Sequence, residues 1–233
     1  YVVEYLSDFY KVYEAENGKE GLKICKKVKP TLCVADVMMP KMDGFEFVTE
    51  LKKDENLSHI PVILLTALAE NENRINGYRI GVDGYLVKPF DPALLKTRID
   101  NILKNHFELK QKFSGEIESD VLTLAHSQLD IELITKIKNL IEENIDYPEL
   151  STSFICKELG LSSSKLYRKI TELTDLPPNE FIKTIRLKKS AFLLRSKRYN
   201  VSEVSIMVGF KDPFYFSKCF KKQFGRSPST FIK

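Results

Sequence analysis

The sequence predicts an α/β domain built on a parallel sheet, followed by an all-α domain. Over residues 1–104 short β-rich runs alternate with stretches of helical period, and from Leu129 onward only the helical period remains. Strands that alternate with helices are typical of a parallel sheet covered on both faces. The charge divides in the same way, since the net charge is −1 over 1–110, −6 over 111–150 and +11 over 151–233.

Local patterns predict each element of the α/β part. The β-rich runs predict strands at Lys11–Ala15, Leu32–Ala35, Pro61–Leu65 and Gly84–Val87. Helical periods separate and follow these strands at Gly18–Lys27, Gly44–Lys53 and Pro92–Leu103. The polar stretch Lys104–Gln128 predicts the tail of a helix and then a linker. We therefore expect an α/β domain over residues 1–104, a linker over 105–130 and a helical domain over 131–233.

Length and composition exclude several classes of protein. The chain has 233 residues, of which 43% are hydrophobic and 29% charged, as is typical of one large or two smaller globular domains. No apolar run approaches the ~18 residues that span a bilayer, and no signal-peptide pattern opens the chain. Four cysteines stand far apart without a C-x-x-C pair, which favours reduced thiols in the cytosol: Cys25, Cys33, Cys156 and Cys219.

Three of the predicted strands are followed by side chains that can act on a phosphoryl group. Asp36 ends the run that starts at Leu32, Thr66 follows the third strand and Lys88 follows the fourth. Ligands of open α/β sheets bind outside the carboxyl ends of the strands, so we expect these side chains at one rim. An Asp carboxylate can accept a phosphoryl group as a covalent intermediate. The hydroxyl can donate to a phosphoryl oxygen, and the ammonium can neutralise its charge.

Three motifs carry a resemblance to a known family: Asp36-Val-Met-Met-Pro40-Lys-Met-Asp-Gly44, Leu65-Thr66-Ala67 and Gly84-Tyr85-Leu-Val-Lys88-Pro89-Phe90. In this order and spacing they resemble the receiver domain of bacterial response regulators, over nearly all of residues 1–104. The resemblance implies a flavodoxin-like fold with strand order 2-1-3-4-5 and a Lys88–Pro89 bond that is usually cis. It implies roles for four residues: Asp36 as phospho-acceptor, Thr66 as switch hydroxyl, Lys88 as contact to the phosphoryl group, and Tyr85 as the rotating aromatic coupled to Thr66.

The resemblance also implies Mg²⁺ as the cofactor of phosphorylation, with Asp36 and the backbone carbonyl of Met38 among its ligands. Receivers begin with an apolar strand that ends in a pair of acidic Mg²⁺ ligands, whereas Tyr1–Phe9 is similar to the end of the helix after that strand. We therefore expect a fragment whose receiver lacks its first strand and whose remaining Mg²⁺ ligands are absent from the chain. Asp36 is then expected to take phosphate slowly, and rapid Mg²⁺-dependent labelling by acetyl phosphate would contradict this.

The helical part contains an internal repeat. Ile155-Cys156-x-x-Leu159-Gly160-Leu161 recurs as Val204-Ser205-x-x-Val208-Gly209-Phe210, and each copy closes with Pro-x-x-Phe. A short helix, a Gly in the turn and a second helix are typical of helix-turn-helix units. We expect Ser162 to cap the second helix of the first unit, and Asp212, followed by Pro213, to begin that of the second.

The second helix of each unit is expected to bury two apolar residues and to expose polar ones. A charge of +11 that coincides with two helix-turn-helix units favours nucleic acid over a merely solvated face. Basic side chains neutralise phosphates, and short polar ones near the start of a recognition helix reach base edges. Phe214 is open to either a core or a DNA-facing position. The candidate DNA-binding residues are Ser163, Ser164, Tyr167, Arg168 and Lys169 in the first unit, and Pro213, Tyr215, Ser217, Lys218, Lys221 and Lys222 in the second.

The run Gly209-Phe210-Lys-Asp-Pro-Phe-Tyr-Phe216-Ser-Lys-x-Phe220-Lys-Lys-x-Phe224-Gly225-x-Ser-Pro228 resembles the AraC-type DNA-binding domain. The resemblance spans about Ile131–Lys233 and is weaker in the first unit, where Asp175 stands in place of Gly225 at a helix end. It implies that two recognition helices enter successive major-groove segments on one face of double-stranded DNA, ~34 Å apart.

A receiver joined to an AraC-type module implies a phosphorylation-regulated transcription regulator of a two-component system, and not an enzyme. The implied partners are double-stranded DNA, a cognate histidine kinase, RNA polymerase and a second copy of the chain. The two copies would pair through the fourth helix, fifth strand and fifth helix of the family fold. The motifs are also similar to receivers fused behind a histidine kinase. The chain is then either a separate cytoplasmic regulator or the cytoplasmic part of a membrane-anchored hybrid sensor.

Two other functions agree less well with the sequence. Phosphatases and phosphotransferases of the haloacid-dehalogenase type also form an aspartyl phosphate, but they need a second Asp two residues after the nucleophile, where Met38 stands. A ligand-sensing AraC-type regulator would carry a β-barrel sensor in place of the α/β alternation. Loss of phosphate uptake and of phosphate-dependent DNA binding in Asp36→Asn would separate the three functions.

Overall fold

The computed structural model describes residues 2–67, 80–125 and 127–231. The chain forms two compact units, each with its own internal contacts. The N-terminal unit consists of Tyr1–Phe107 and His126–Ile131, and the C-terminal unit of Glu108–Ala125 and Glu132–Lys233.

The N-terminal unit alternates helices with strands. Its elements are α1 (Val2–Ser7), α2 (Gly18–Val28), β1 (Cys33–Asp36), α3 (Gly44–Lys53), β2 (Val62–Thr66), β3 (Gly84–Val87) and α4 (Pro92–Gly115), the last of which continues past the unit boundary. Among the described residues the three strands form one parallel sheet with β2 in the middle. The predicted α/β domain with a parallel sheet is therefore confirmed.

Alternate residues of the central strand β2 supply the two cores of this unit. Val62 and Leu64 are buried on the side of α2 and α3, where Val48 and Leu51 of α3 pack. Ile63 is buried in the other cluster, with Leu6 of α1 and with Leu95 and Ile99 of α4. Because side chains alternate across a strand, both faces of β2 are apolar and both are covered by helices.

The strand predicted at Lys11–Ala15 is not formed, and that prediction was wrong. The segment carries no strand hydrogen bonding. A β-rich run becomes a strand only by pairing its backbone with a neighbour, so composition alone does not decide the outcome. In the implied family order this segment would pair with the strand that comes before it, and the described residues contain no such neighbour.

The region expected to be a linker is largely ordered. Helix α4 continues past Leu103 to Gly115, in agreement with the predicted helix tail, and a 3₁₀ turn follows at Val121–Leu124 in place of an unstructured linker. Within the C-terminal unit Phe113 is buried, and its ring lies 5.7 Å from that of Phe181 between centroids. A few apolar side chains in a polar stretch are therefore enough to fix this segment, because the core that receives them lies far along the sequence.

The C-terminal unit is entirely helical in its described residues. After the 3₁₀ turn its helices are α5 (Gln128–Glu143), α6 (Thr152–Leu159), α7 (Ser163–Thr174), α8 (Pro178–Arg195), α9 (Val201–Met207), α10 (Pro213–Phe224) and α11 (Pro228–Phe231), and the first residues of α5 belong to the N-terminal unit. Helices α6 and α7 form the first helix-turn-helix unit, and α9 and α10 form the second. Helix α8 joins the two helix-turn-helix units. It buries the face that carries Leu187, Ala191 and Leu194, as its helical period predicts.

The caps and turns of the two units agree with the repeat. The side chain of Ser162 accepts from the backbone N–H of Lys165, and Asp212 accepts from those of Phe214 and Tyr215. The glycines of both turns adopt positive φ, 63° at Gly160 and 76° at Gly209. The recognition helices also end alike, because Asp175 takes the left-handed conformation, with φ 58°, that Gly225 takes with φ 76°.

All four cysteines are free thiols. Cys25 and Cys33 are buried in the N-terminal unit, where their sulfur atoms lie 3.5 Å apart. Cys156 and Cys219 are half-buried in the C-terminal unit. No helix of the described residues has both the length and the apolar content that crossing a bilayer requires.

Candidate functional site

The carboxyl ends of the three strands bring together the side chains that the sequence singled out. Asp36 is the last residue of β1, Thr66 is the last residue of β2, and Lys88 directly follows β3. The Lys88 Nζ donates to Asp36 Oδ2, and the Lys88 backbone N–H donates to the Thr66 carbonyl at 2.7 Å. The Lys88–Pro89 peptide bond is cis. The rim therefore joins a carboxylate and an ammonium, with a hydroxyl on the strand between them.

Backbone N–H groups hold the loop after Asp36, with the Asp36 carboxylate and the Val37 carbonyl as acceptors. The N–H of Met38 donates to Asp36 Oδ1 at 3.1 Å, and the N–H of Gly44 donates to the carbonyl of Val37 at 3.0 Å. A Cβ on Gly44 would lie 2.4 Å from the Asp36 carbonyl oxygen, so no side chain can be placed there without moving the backbone. Gly44, the last residue of the motif that begins at Asp36, therefore allows the start of α3 to approach the loop closely.

The two predicted switch residues are both buried. Thr66 and Tyr85 each expose less than a tenth of their surface, and the Tyr85 ring lies in the cluster beneath α2 and α3. The backbone of Tyr85 lies opposite Leu64 in the register of β2 with β3. The structure thus places Tyr85 on β3, the strand next to the one that carries Thr66.

The predicted magnesium ligands do not make up a site by themselves. No three His, Cys, Asp or Glu side chains cluster as a metal would need in residues 2–67, 80–125 and 127–231. Asp36 provides one carboxylate and Met38 one backbone carbonyl. One oxygen of the carboxylate already accepts a hydrogen bond from Lys88. Because Mg²⁺ needs a near-octahedral set of oxygen ligands, these residues alone do not fit it.

The chemistry available at the rim follows from its carboxylate and its ammonium. A carboxylate oxygen can attack phosphorus, and the ammonium that contacts it can then neutralise the added charge. Asp36 and Lys88 are each about one third exposed, so a phosphate donor can reach them.

The second candidate site is the outer face of the two recognition helices. Of the predicted DNA-binding residues in α7, Ser163, Ser164 and Tyr167 are exposed and Arg168 is half-buried, with its Nε 3.8 Å from Glu172. In α10, Tyr215, Lys218, Lys221 and Lys222 are exposed, and Pro213 and Ser217 are half-buried. The apolar residues expected beneath them are fully buried: Leu166, Ile170, Phe216 and Phe220.

Lys169 is a correction to the predicted set. Its side chain is only 2% exposed, with Nζ 3.9 Å from a Glu172 carboxylate oxygen. Lys169 lies three residues after Leu166 and one before Ile170, so the helical period turns it toward the core side of α7. It therefore cannot contact DNA in this conformation.

The structure decides one position of this face that the sequence left open, and it adds one residue that the sequence did not predict. Phe214, left open between core and surface, is 87% exposed. Lys183 of α8 lines a cavity of about 560 Å³ together with Tyr215 of α10 and Lys211 of the second turn. Neither lysine is a member of the repeat pattern, so only the packing of α8 against α10 could bring Lys183 to this place.

The fold and the two sites define a protein with an α/β unit whose strand ends form an acceptor rim, and a unit with two helix-turn-helix motifs. Comparison with known proteins agrees with both parts. The family described as "Response regulator receiver domain" matches residues 2–100, and the family described as "Helix-turn-helix domain" matches residues 155–233.

Three individual proteins show how far the similarity extends. "Histidine kinase P4" of Formosa agariphila is 39% identical over 231 residues, which is 99% of this chain and 17% of that protein. "Probable transcriptional regulator ycf29" of Pyropia yezoensis is 36% identical over 161 residues, 62% of this chain and 72% of that protein. A solved transcriptional regulator with an AraC-type DNA-binding domain, from Chromobacterium violaceum, is 26% identical, has a TM-score of 0.40 and is matched over 42% of this chain and 87% of its own.

The chain belongs to the response regulators, with a receiver domain followed by an AraC-type helix-turn-helix domain. It spans less than a fifth of the length of the Formosa protein that it matches.

Substitution of an exposed lysine and of a buried lysine tests which of the two contributes to DNA binding. We expect Lys218→Met to weaken binding to a mixed-sequence DNA duplex several-fold and to lower the slope of log affinity against log salt by about 1, because one phosphate contact is lost. Lys169→Met should leave both quantities unchanged, since the methionine fills the same buried space. Fluorescence anisotropy at several salt concentrations measures both. A salt slope that falls in Lys169→Met would contradict the correction.

Proposed function

We propose that the protein is a phosphorylation-regulated, sequence-specific DNA-binding transcription regulator of a two-component system. The observation that carries the proposal is the contact between the Lys88 ammonium and the Asp36 carboxylate at a strand-end rim, in a chain that also exposes two recognition helices. We place the receiver domain at residues 1–104 and the DNA-binding domain at 131–233, with 105–130 between them. The contacts of Glu108–Ala125 lie with the DNA-binding side.

The chemistry proposed for the rim is transfer of a phosphoryl group from a histidine kinase. An oxygen of the Asp36 carboxylate attacks phosphorus, the bond from phosphorus to the kinase histidine breaks, and an acyl phosphate forms on Asp36. Lys88 moves from the carboxylate to a phosphoryl oxygen, and the Thr66 hydroxyl donates to another. Thr66 leaves a space in the core when it turns, and the ring of Tyr85, which is already buried, shifts to fill it.

We propose that the change at Tyr85 alters the surface through which a second copy of the chain binds. Residues 68–79, which include the predicted fourth helix of the pairing surface, lie outside the described residues. Pairing would place two DNA-binding domains on adjacent sites and would raise affinity through effective concentration. We propose contact with RNA polymerase as the step that follows DNA binding, a cytoplasmic location for both domains, and no enzymatic activity of the chain itself.

One alternative has a specific observation in its favour. Nearly all of this chain aligns with 17% of a protein named as a histidine kinase. In that reading the two domains are the cytoplasmic end of a hybrid sensor, and the phosphoryl donor is a histidine of the same polypeptide. The chemistry at Asp36 and the proposed DNA interface are unchanged by this alternative.

Asp36→Asn tests the proposed acceptor. We expect the wild-type chain to take up label slowly from radioactive acetyl phosphate and to release it with hydroxylamine, which cleaves acyl phosphates. Asp36→Asn should remain unlabelled, while Asp43→Asn, which alters the nearby N-cap of α3, should still be labelled. Label that persists in Asp36→Asn would overturn the assignment of the acceptor.

The DNA-binding half of the proposal has a separate test. Selection from a random duplex library should enrich one sequence with two half-sites about one helical turn apart. We expect the Asp36→Asn chain to enrich the same sequence, since the change lies outside the DNA-binding domain. A library that enriches nothing would exclude sequence-specific binding.

A further inference from the structure

Phe214 is a large apolar side chain that lies on the surface, outside the hydrophobic core. It is the second residue of α10, and 87% of its surface is exposed, more than for any other large apolar side chain among the described residues. The other aromatic residues of this region pack together: Phe210 lies against Phe216, with ring centroids 5.3 Å apart, and Phe216 lies against Phe220 at 5.8 Å. Phe214 therefore contributes little to the core.

The backbone of Phe214 is nevertheless held firmly. Its N–H donates to Asp212 Oδ1 at 2.9 Å, and the N–H of Tyr215 donates to the other carboxylate oxygen at 3.1 Å. Pro213 precedes it at the first helical position, where its fixed φ suits the helix. The phenyl ring is thus presented by an ordered helix start, which lowers the entropy lost when a ligand immobilises it.

The ring lies on the face of α10 that points away from the core. Phe216 and Phe220 mark the buried face. At about 100° per residue Phe214 lies roughly opposite them, and Lys218 lies one turn further along the same exposed face. Lys221, seven residues after Phe214, continues this face. An uncharged ring therefore stands at the start of a row of ammonium groups that can hold DNA phosphates.

The two recognition helices differ at this position. The repeat places Ser164 of α7 where α10 has Phe214, and Arg168 where α10 has Lys218. Ser164 is exposed and can form hydrogen bonds with base edges, whereas a phenyl ring has no donor or acceptor to offer. The ring can discriminate between bases by apolar contact alone.

We propose that Phe214 recognises thymine by packing against the C5-methyl group in the major groove. The inference rests on the proposed function, because it needs α10 to lie in that groove. In the major groove only thymine among the four bases presents a methyl group, and Phe is one of the side chains that contact it. A cytosine in the same place presents only a C5–H where thymine has its methyl group, so the apolar contact with the ring is lost. Recognition by Phe214 therefore selects thymine and rejects cytosine.

The experiment removes the methyl group and the ring separately. The duplex enriched by the full chain from a random library is resynthesised with each thymine in turn replaced by deoxyuridine, which lacks only the C5-methyl group. At one thymine we expect the wild-type chain to lose about four-fold in affinity, the effect of burying one methyl group. In Phe214→Ala that loss should disappear, while the losses at other thymines remain. Restoring a methyl group at that position with 5-methylcytosine should regain part of the affinity lost on changing thymine to cytosine.

Two further variants serve as controls. Phe214→Leu keeps an apolar side chain and should retain part of the sensitivity to deoxyuridine. Ser164→Ala changes the matching position of the other recognition helix and should leave that sensitivity unchanged. Because Phe214 is exposed, none of its substitutions should alter the thermal unfolding of the domain.

The possible results separate the inference from the proposed function. If the library enriches no sequence, the proposed function fails. If a sequence is enriched but no thymine shows a deoxyuridine effect that depends on Phe214, the inference is overturned while the function stands. If Phe214→Ala binds the duplex as the wild type does but weakens self-association or binding to RNA polymerase, the ring serves a protein partner, and the inference is likewise overturned.

Discussion

The Gly209→Ala variant is expected to lose about 3–5 kcal/mol of the free energy of unfolding of the C-terminal unit. Gly209 has φ 76°, a conformation that costs an L side chain roughly 1 kcal/mol. An added Cβ would also lie 2.6 Å from the Ile145 carbonyl oxygen and 2.7 Å from Arg186 Nη2. Neither neighbour can move freely. The Ile145 oxygen belongs to the backbone, and both Nη atoms of Arg186 donate hydrogen bonds to backbone carbonyls.

Arg186 is one of the two groups that a side chain at Gly209 would displace. Its Nη1 donates to the carbonyl of Gly209 at 3.2 Å, and its Nη2 donates to the carbonyl of Tyr147 at 2.5 Å. The guanidinium thus joins the turn of the second unit to the segment before the first unit. Displacing it would break hydrogen bonds to a charged donor, each worth ~1.5–3 kcal/mol.

Gly160→Ala is the matched control, since Gly160 is the turn glycine of the first unit. Its φ is 63°, yet apart from its two chain neighbours no residue has an atom within 4 Å of the position that a Cβ would take. We expect this variant to lose only about 1 kcal/mol, the cost of the backbone conformation. Urea unfolding followed by circular dichroism measures both variants. Equal losses at Gly160 and Gly209 would show that the contacts with Ile145 and Arg186 have no energetic effect.

The second large effect is a rise in stability above pH 8 that depends on Lys188 of α8. Its Nζ donates to the carbonyls of Glu116 and Ser119 at 2.6 and 2.7 Å and to the Ser119 hydroxyl at 2.7 Å. The same atom lies 4.5 Å from the centroid of the Phe113 ring. The side chain is 7% exposed, and burial lowers the pKa of Lys188 to about 8 from its ordinary 10.5.

The direction of the pH dependence follows from this pKa. Below pH 8 both the folded and the unfolded chain carry the proton, so Lys188 adds no pH dependence there. Between pH 8 and 10.5 the unfolded chain keeps the proton that the folded chain loses, and the free energy of unfolding therefore rises with pH. The rise is at most ~1.4 kcal/mol per pH unit, or about 3 kcal/mol over the window.

Lys188→Met removes this titration. Urea unfolding between pH 7.5 and 10 should give a slope against pH that is lower in Lys188→Met than in the wild type. Lys189→Met changes the neighbouring lysine of α8, which is exposed, and should keep the wild-type slope. If Lys188→Met shows the wild-type slope, the rise in stability with pH is caused by the titration of a group other than Lys188.

Local patterns in the sequence were sufficient for the strand ends and for the repeat. Asp36, Thr66 and Lys88 could be found because each directly follows a short apolar run, and parallel strands bring their carboxyl ends to one edge. The turn glycines and the N-caps could be found because their conformations are set by neighbouring residues. These features depend on contacts within a few residues along the chain.

Other features were decided by contacts between distant segments. Lys11–Ala15 has a β-rich composition but no neighbouring strand in the described residues, and Phe113 lies in a polar stretch but is buried against Phe181. The charge of Lys169 is typical of a DNA contact, but its place in the helical period is that of a core residue. Its side chain is buried.

The sequence by itself determined the class of each domain, the position of Asp36 at a strand end and the two helix-turn-helix motifs, because helical period, helix caps and strand ends depend on neighbouring residues. The tertiary structure decided which lysines remain available to DNA, why Gly209 differs from Gly160, and that Phe214 is exposed. The physical reason is that burial depends on what packs against a side chain, and in these cases the packing partner lies far along the chain.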